Sequence, residues 1–237
     1  MAAPDLLYLS LIAALMLVDR FVLWPAFLRR SQANPARARL WVWSSTIIML
    51  WTMAAAGIAL WLFEARAWES LGFVVPRGWR MWAAIGLALA IVYAHARPVA
   101  KLMRRDRPKR VKLGWPGAEM FAPHTDAELA WWMGVSLTAG FCEELVFRGY
   151  LIWVFQPMLG LWGAAALSVV AFALGHAYQG AKGIVSTGIV GAIFTLIFLV
   201  LGSLLPAIAL HALMDVGQGL VAWAALRRPR DDGSASA

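Results

Sequence analysis

Residues 127–155 read AELAWWMGVSLTAGFCEELVFRGYLIWVF. The run is apolar and long enough to cross a bilayer as a helix, for which about 20 residues suffice. Yet Glu143, Glu144 and Arg148 lie inside it. An ionised group at the centre of a membrane helix costs roughly 2.5–3.5 kcal/mol on insertion scales, so such groups mark a functional site by default. The same stretch therefore predicts a membrane-spanning helix and a polar site within it.

The rest of the chain agrees with a lipid solvent. Of 237 residues, 62% are hydrophobic and 14% charged, against roughly half and a quarter in soluble domains. The fourteen Trp suit the membrane–water interface. Seven apolar segments are long enough to span: roughly Leu6–Leu28, Leu40–Phe63, Trp79–Pro98, Ala127–Phe155, Leu161–Tyr178, Gly183–Leu201 and Leu204–Leu226. Each must be helical, because unpaired backbone polar groups are costly in hydrocarbon. The expected fold is all-α, a polytopic transmembrane bundle of about seven helices. No internal repeat is visible. Three regions follow: N-terminal membrane helices and a basic loop (1–124), a polar-bearing membrane core (125–226) and a polar tail (227–237).

Charge orients the bundle. With seven spans, one side receives sixteen basic residues and the other only Arg66, Arg77 and Arg80. Lys and Arg accumulate in cytoplasmic loops, which places the N-terminus outside and the C-terminus in the cytoplasm, in a plasma (inner) membrane. The net charge of +8 is thus read as topology. The run Arg104–Lys112 is an orientation signal facing anionic lipid headgroups rather than a nucleic-acid site. No basic region precedes the first apolar segment, so this segment is expected to stay as a span. Cys142 is the single cysteine, which rules out an intramolecular disulfide and a cysteine metal cluster. It points away from Glu143 on a helix, and no base is placed locally to make it a nucleophile.

Adjacent residues on a helix point about 100° apart, so Glu143 and Glu144 cannot share one task. Glu144 and Arg148 share a face at i, i+4 in the favourable acid-before-base order and can neutralise each other. Glu143 has no such local partner and is the candidate base towards water. His176 closes the fifth span. His211 and Asp215 share a face of the seventh, where the carboxylate is placed to accept a ring N–H and hold the tautomer. His95 and His124 lie outside these clusters and read as structural or solvated. Asp19-Arg20, inside the first span, reads as a self-paired charge, a packing contact or the lining of a pathway. There is no His-Glu-x-x-His, no Gly-x-Ser-x-Gly and no P-loop, so helical zinc-protease, serine-hydrolase and nucleotide chemistry lack support.

Glu-Glu-x-x-x-Arg at 143–148, Phe-x-x-x-His at 172–176 and His-x-x-x-Asp at 211–215 resemble, in that order, the three motifs of the CAAX-processing and bacteriocin-processing family. Its members are intramembrane endopeptidases related to type II CAAX prenyl proteases. The resemblance covers roughly 125–225 and includes the flanking Arg148-Gly149-Tyr150-Leu151 and Leu205-Pro206. It implies hydrolysis of a peptide bond in a membrane-associated or lipidated, CAAX-like peptide. Glu143 would be the general base, assisted by His176. His211 and Asp215 would occupy the oxyanion-stabilising place, and Glu144 and Arg148 would support it. The prenyl proteases commonly carry Asn where this chain has Asp215. An ionised carboxylate repels an oxyanion, so Asp215 is expected to orient His211 instead. Glu143, His176, His211 and Asp215 are also a zinc-compatible donor set; the resemblance implies either a metal site or a metal-free glutamate mechanism.

The spans drawn above set Glu143 and His211 near mid-membrane but His176 at a cytoplasmic end, whereas a shared site needs one depth. Two other functions compete. One is a non-catalytic immunity or scaffold protein of the same fold. The other is a small ion-coupled transporter, against which the absence of an inverted repeat weighs.

Overall fold

The computed structural model describes residues 2–104 and 117–227. Most of the basic run 104–112, and the tail beyond Arg227, lie outside the described residues. Within them the chain is helical, with no strand. Helix α1 spans Ala3–Ala33 and α2 spans Pro35–Phe63. Helix α3 is Trp79–Arg104. A continuous apolar stretch, Asp126–Gly175, follows. Gly160 breaks it at φ 68°, ψ 171°, values open to glycine because it lacks Cβ. The stretch thus divides into α4 (126–159) and α5 (161–175). Helices α6 (Gly180–Leu201) and α7 (Leu204–Leu226) complete the bundle. Six stretches are long and apolar enough to cross a membrane; the break at Gly160 makes seven limbs.

Local sequence sets the ends. Asn34 Oδ1 accepts the Arg37 N–H at 3.0 Å and starts α2. Thr125 Oγ1 accepts the Glu128 N–H at 3.2 Å and starts α4. Gly202, at φ 63°, ends α6 in a left-handed turn. Ser203 then caps α7 by accepting the Leu205 N–H. Such caps satisfy donors that the first turn of a helix leaves open.

Helix α4 is central, with α2 on one side and α7 on the other, and α3 covers α7 from outside. The bundle is tied near both ends of α4 and at its core. Buried Arg39 donates to Glu128 Oε1 at 2.7 Å, joining the starts of α2 and α4. Asp5 accepts from Arg66 and from the Tyr150 hydroxyl, each at 2.8 Å, joining α1, the segment after α2, and α4. Leu6, Phe21, Trp82, Leu89, Ile189 and Leu196 are among the large apolar side chains left outward, as lipid-facing surfaces require.

The break at Gly160 resolves the depth conflict. Helix α5 returns along α4: Ser168 Oγ donates to the Phe147 carbonyl at 2.6 Å, and the Phe147 and Phe172 rings meet edge to face at 5.3 Å. Glu143 lies 17 residues before the bend and His176 lies 16 after it. At 1.5 Å per residue both stand roughly 25 Å from the bend. The end of the short limb is therefore level with the middle of the long one.

Helices α4 and α7 approach closely because Gly140 has no side chain. A Cβ there would lie 2.8 Å from the Ala212 backbone nitrogen and 2.8 Å from its Cβ. Gly140→Leu is expected to force the two helices apart and cost about 1–3 kcal/mol, the usual range for overpacking. Thermal unfolding of the purified variant in detergent, beside wild type, measures this.

Candidate active site

The two glutamates of α4 face different surroundings. Glu144 begins a π-helical turn, Glu144–Leu151, and is fully buried. Its Oε1 accepts from Arg148 Nη1 at 2.8 Å. Arg148, also fully buried, gives Nη2–H to the Gly191 carbonyl of α6 at 3.1 Å and Nε–H to Thr195 Oγ1 at 3.4 Å. Its guanidinium carbon sits 4.1 Å from the centre of the Phe172 ring. Gly191 makes room: a Cβ there would lie 2.8 Å from Phe172 and 3.3 Å from Arg148. A guanidinium brought into a dry bundle needs this many partners, since an uncompensated buried charge is strongly destabilising.

Glu144 Oε1 also takes His211 Nδ1 at 2.8 Å. A carboxylate paired with Arg148 is an acceptor, so the proton lies on Nδ1. Phe194 stacks on the ring at 5.1 Å and fixes its plane. Nε2 is then aimed at Glu143 Oε2, 3.9 Å away, and Asp215 Oδ2, 3.6 Å away. This corrects one expectation. Asp215 does not hold the His211 tautomer; it stands beside Nε2, beyond direct hydrogen-bond length, while Glu144 holds Nδ1. The i, i+4 spacing put His211 and Asp215 on one face, but only the approach of α4 decides which carboxylate reaches which nitrogen. Asp215 is fixed through its backbone as well: its carbonyl accepts the Trp132 indole N–H at 2.9 Å.

Glu143, His176, His211 and Asp215 all line one cavity of about 380 Å³. His176 Nδ1 lies 2.9 Å from the Phe172 carbonyl; a carbonyl can only accept, so Nδ1 carries the proton and a neutral ring offers Nε2 as an acceptor. The Phe172 ring lies 4.8 Å from His176 and 6.1 Å from His211. Ser136 and Tyr178 also contribute to the wall. So do Met16 of α1 and Met49 of α2, which no sequence motif pointed to, and Asp19 of α1, for which the lining of a pathway was one of three readings. Helical periodicity alone cannot show which spans share a cavity. Cys142 is fully buried in the apolar core. His95 packs against Gly217, and His124 Nε2 contacts the Glu119 carbonyl.

The zinc alternative has a geometric test. Among the described residues no three His, Cys, Asp or Glu side chains form a group that could hold a metal ion. Glu144, which the motif groups with Glu143, turns away to Arg148 and His211 and is not among these donors.

Residues 125–217 match the family model described as type II CAAX prenyl endopeptidase, Rce1-like. No curated protein and no solved structure matches the chain. The matched segment contains α4, α5, α6 and the first half of α7, with every motif residue named above. Over these 93 of 237 residues the chain is similar to type II CAAX prenyl endopeptidases.

Removing Glu144 isolates a fully buried guanidinium. Glu144→Ala is expected to destabilise by about 3–5 kcal/mol, whereas Asp215→Asn, at a side chain 26% exposed to the cavity, leaves the melting temperature near wild type. Parallel melts of the two variants and wild type distinguish these outcomes.

Proposed function

We propose that the protein is an intramembrane endopeptidase that hydrolyses a peptide bond with a glutamate-activated water. The supporting observation is the facing pair of Glu143 Oε2 and His211 Nε2, 3.9 Å apart on the wall of an otherwise largely apolar cavity. At that separation one water can lie within hydrogen-bond reach of both, donating to Glu143 and accepting from His211.

In this mechanism Glu143 takes a proton as the water oxygen attacks the scissile carbonyl carbon, and His176 Nε2 helps to position that water. The carbonyl π electrons move to oxygen. His211, protonated on both nitrogens, keeps Nδ1–H on Glu144 and gives Nε2–H to the oxyanion. Electrostatic stabilisation of this kind is often the largest contribution to acyl-transfer catalysis. Glu143 then passes its proton to the leaving nitrogen as the C–N bond breaks, releasing a carboxylic acid and an amine. Asp215 faces the same nitrogen from one turn further along α7, 3.6 Å away. Glu144 and Arg148 are positioning residues that act through His211.

The substrate class is a membrane-associated or lipidated, CAAX-like peptide, which reaches the cavity between helices. The distribution of basic residues supports a cytoplasmic C-terminus and an external N-terminus in the plasma (inner) membrane.

Glu143→Gln keeps the volume of the side chain and removes the base. It is expected to fold as wild type and to lose at least about 100-fold in proteolytic rate, the lower range for general-base catalysis. Cells producing either form, compared by membrane proteomics with bound metal assayed on both purified proteins, test this. Identical cleavage patterns would move the protein to a scaffold role.

A further inference from the structure

Asp19 is an intramembrane carboxylate that the hydrolytic steps do not use. The neighbouring charge does not face the same way: Asp19 lines the catalytic cavity, while Arg20 is exposed with its guanidinium 5.5 Å from the Phe21 ring. The cause is a local irregularity. Residues Asp19–Leu23 form a single π-helical turn, in which the Trp24 N–H bonds to the Asp19 carbonyl. In a regular α-helix, residues five apart point about 140° from each other. The π turn takes up the extra residue and brings Asp19 and Trp24 into register on one face. Such turns recur at functional sites.

Both residues line the cavity, and the Trp24 ring meets that of Tyr178, which also lines it, at 4.7 Å. One wall therefore combines a carboxylate with aromatic faces, a pairing that suits a cation. The remaining charge agrees. Against the His211 cation stand three carboxylates, Asp19, Glu143 and Asp215, with no Lys or Arg among the described residues of the wall.

We infer that Asp19, Trp24 and Tyr178 form a specificity subsite that accepts a Lys or Arg side chain of the peptide substrate. This rests on the peptidase reading and extends it to substrate choice. Lys and Arg flank the cytoplasmic ends of membrane segments, so membrane-anchored peptides supply such groups. A cation delivered by substrate offsets the cost of holding Asp19 in the bundle. The subsite also gives the N-terminal spans, outside the matched segment, a part in recognition.

The probes are an apolar peptide with one Lys and its twin with norleucine at that position. Both are bound to the full-length Glu143→Gln protein in lipid nanodiscs, so that neither is cut. The Lys peptide is expected to bind about tenfold more tightly. Adding Asp19→Asn should bring the two affinities together, while Asp19→Glu should keep the preference and show that the variants fold. Equal affinities in Glu143→Gln, no binding of either peptide, or a preference unchanged by Asp19→Asn would overturn the subsite. The peptidase reading is separated by the proteome comparison above. A Lys preference in a protein with no Glu143-dependent cleavage keeps the subsite and overturns the hydrolase, and cleavage without the preference does the reverse.

Discussion

One carboxylate oxygen organises the centre of this bundle. Glu144 Oε1 accepts from Arg148 on its own helix and from His211 on α7, each at 2.8 Å. Arg148 in turn reaches the α6 backbone at Gly191. In lipid, a buried ion is tolerable only if its partners are supplied by protein. That demand draws α4, α6 and α7 to a common point and sets the direction in which the His211 ring looks into the cavity.

The groups proposed to react and those proposed to support them are thereby separated by burial. Glu144 and Arg148 are wholly enclosed, whereas Glu143 and Asp215 retain 12% and 26% of their side-chain surface towards the cavity. A general base needs access to water and substrate; an orienting acid needs exclusion from both. Two adjacent glutamates meet these opposite requirements because a helix turns them to different sides. The close contact of Gly140 with Ala212 and the open position at Gly191 let the backbones come near enough for short side chains to bridge them.

Much of this was legible in sequence. Apolar length identified the spans, because a membrane helix must satisfy its own backbone. The residues that line the cavity from α4, α5 and α7 were legible as polar groups in apolar surroundings. The partner of each nitrogen was not. Asp215 shares a face with His211, and spacing on one helix favoured that pair, but a closer carboxylate arrived from another helix. Asp19 was ambiguous for a related reason: regular helical geometry gives no warning of the π turn that aligns it with Trp24. The shared depth of Glu143 and His176 was likewise hidden until the bend at Gly160 was known.

The sequence by itself determined that this is an all-helical membrane protein and that Glu144 and Arg148 pair, and it singled out Glu143, His176, His211 and Asp215 as the candidate site. These follow from hydropathy and from contacts within one helix, which depend only on local spacing. The tertiary structure decided that Glu144 orients His211, that α5 folds back to bring His176 level with Glu143, and that the first two spans complete the cavity. Those relations join residues 30 to 190 positions apart in the chain, and interhelical packing, which has no period in the sequence, sets them.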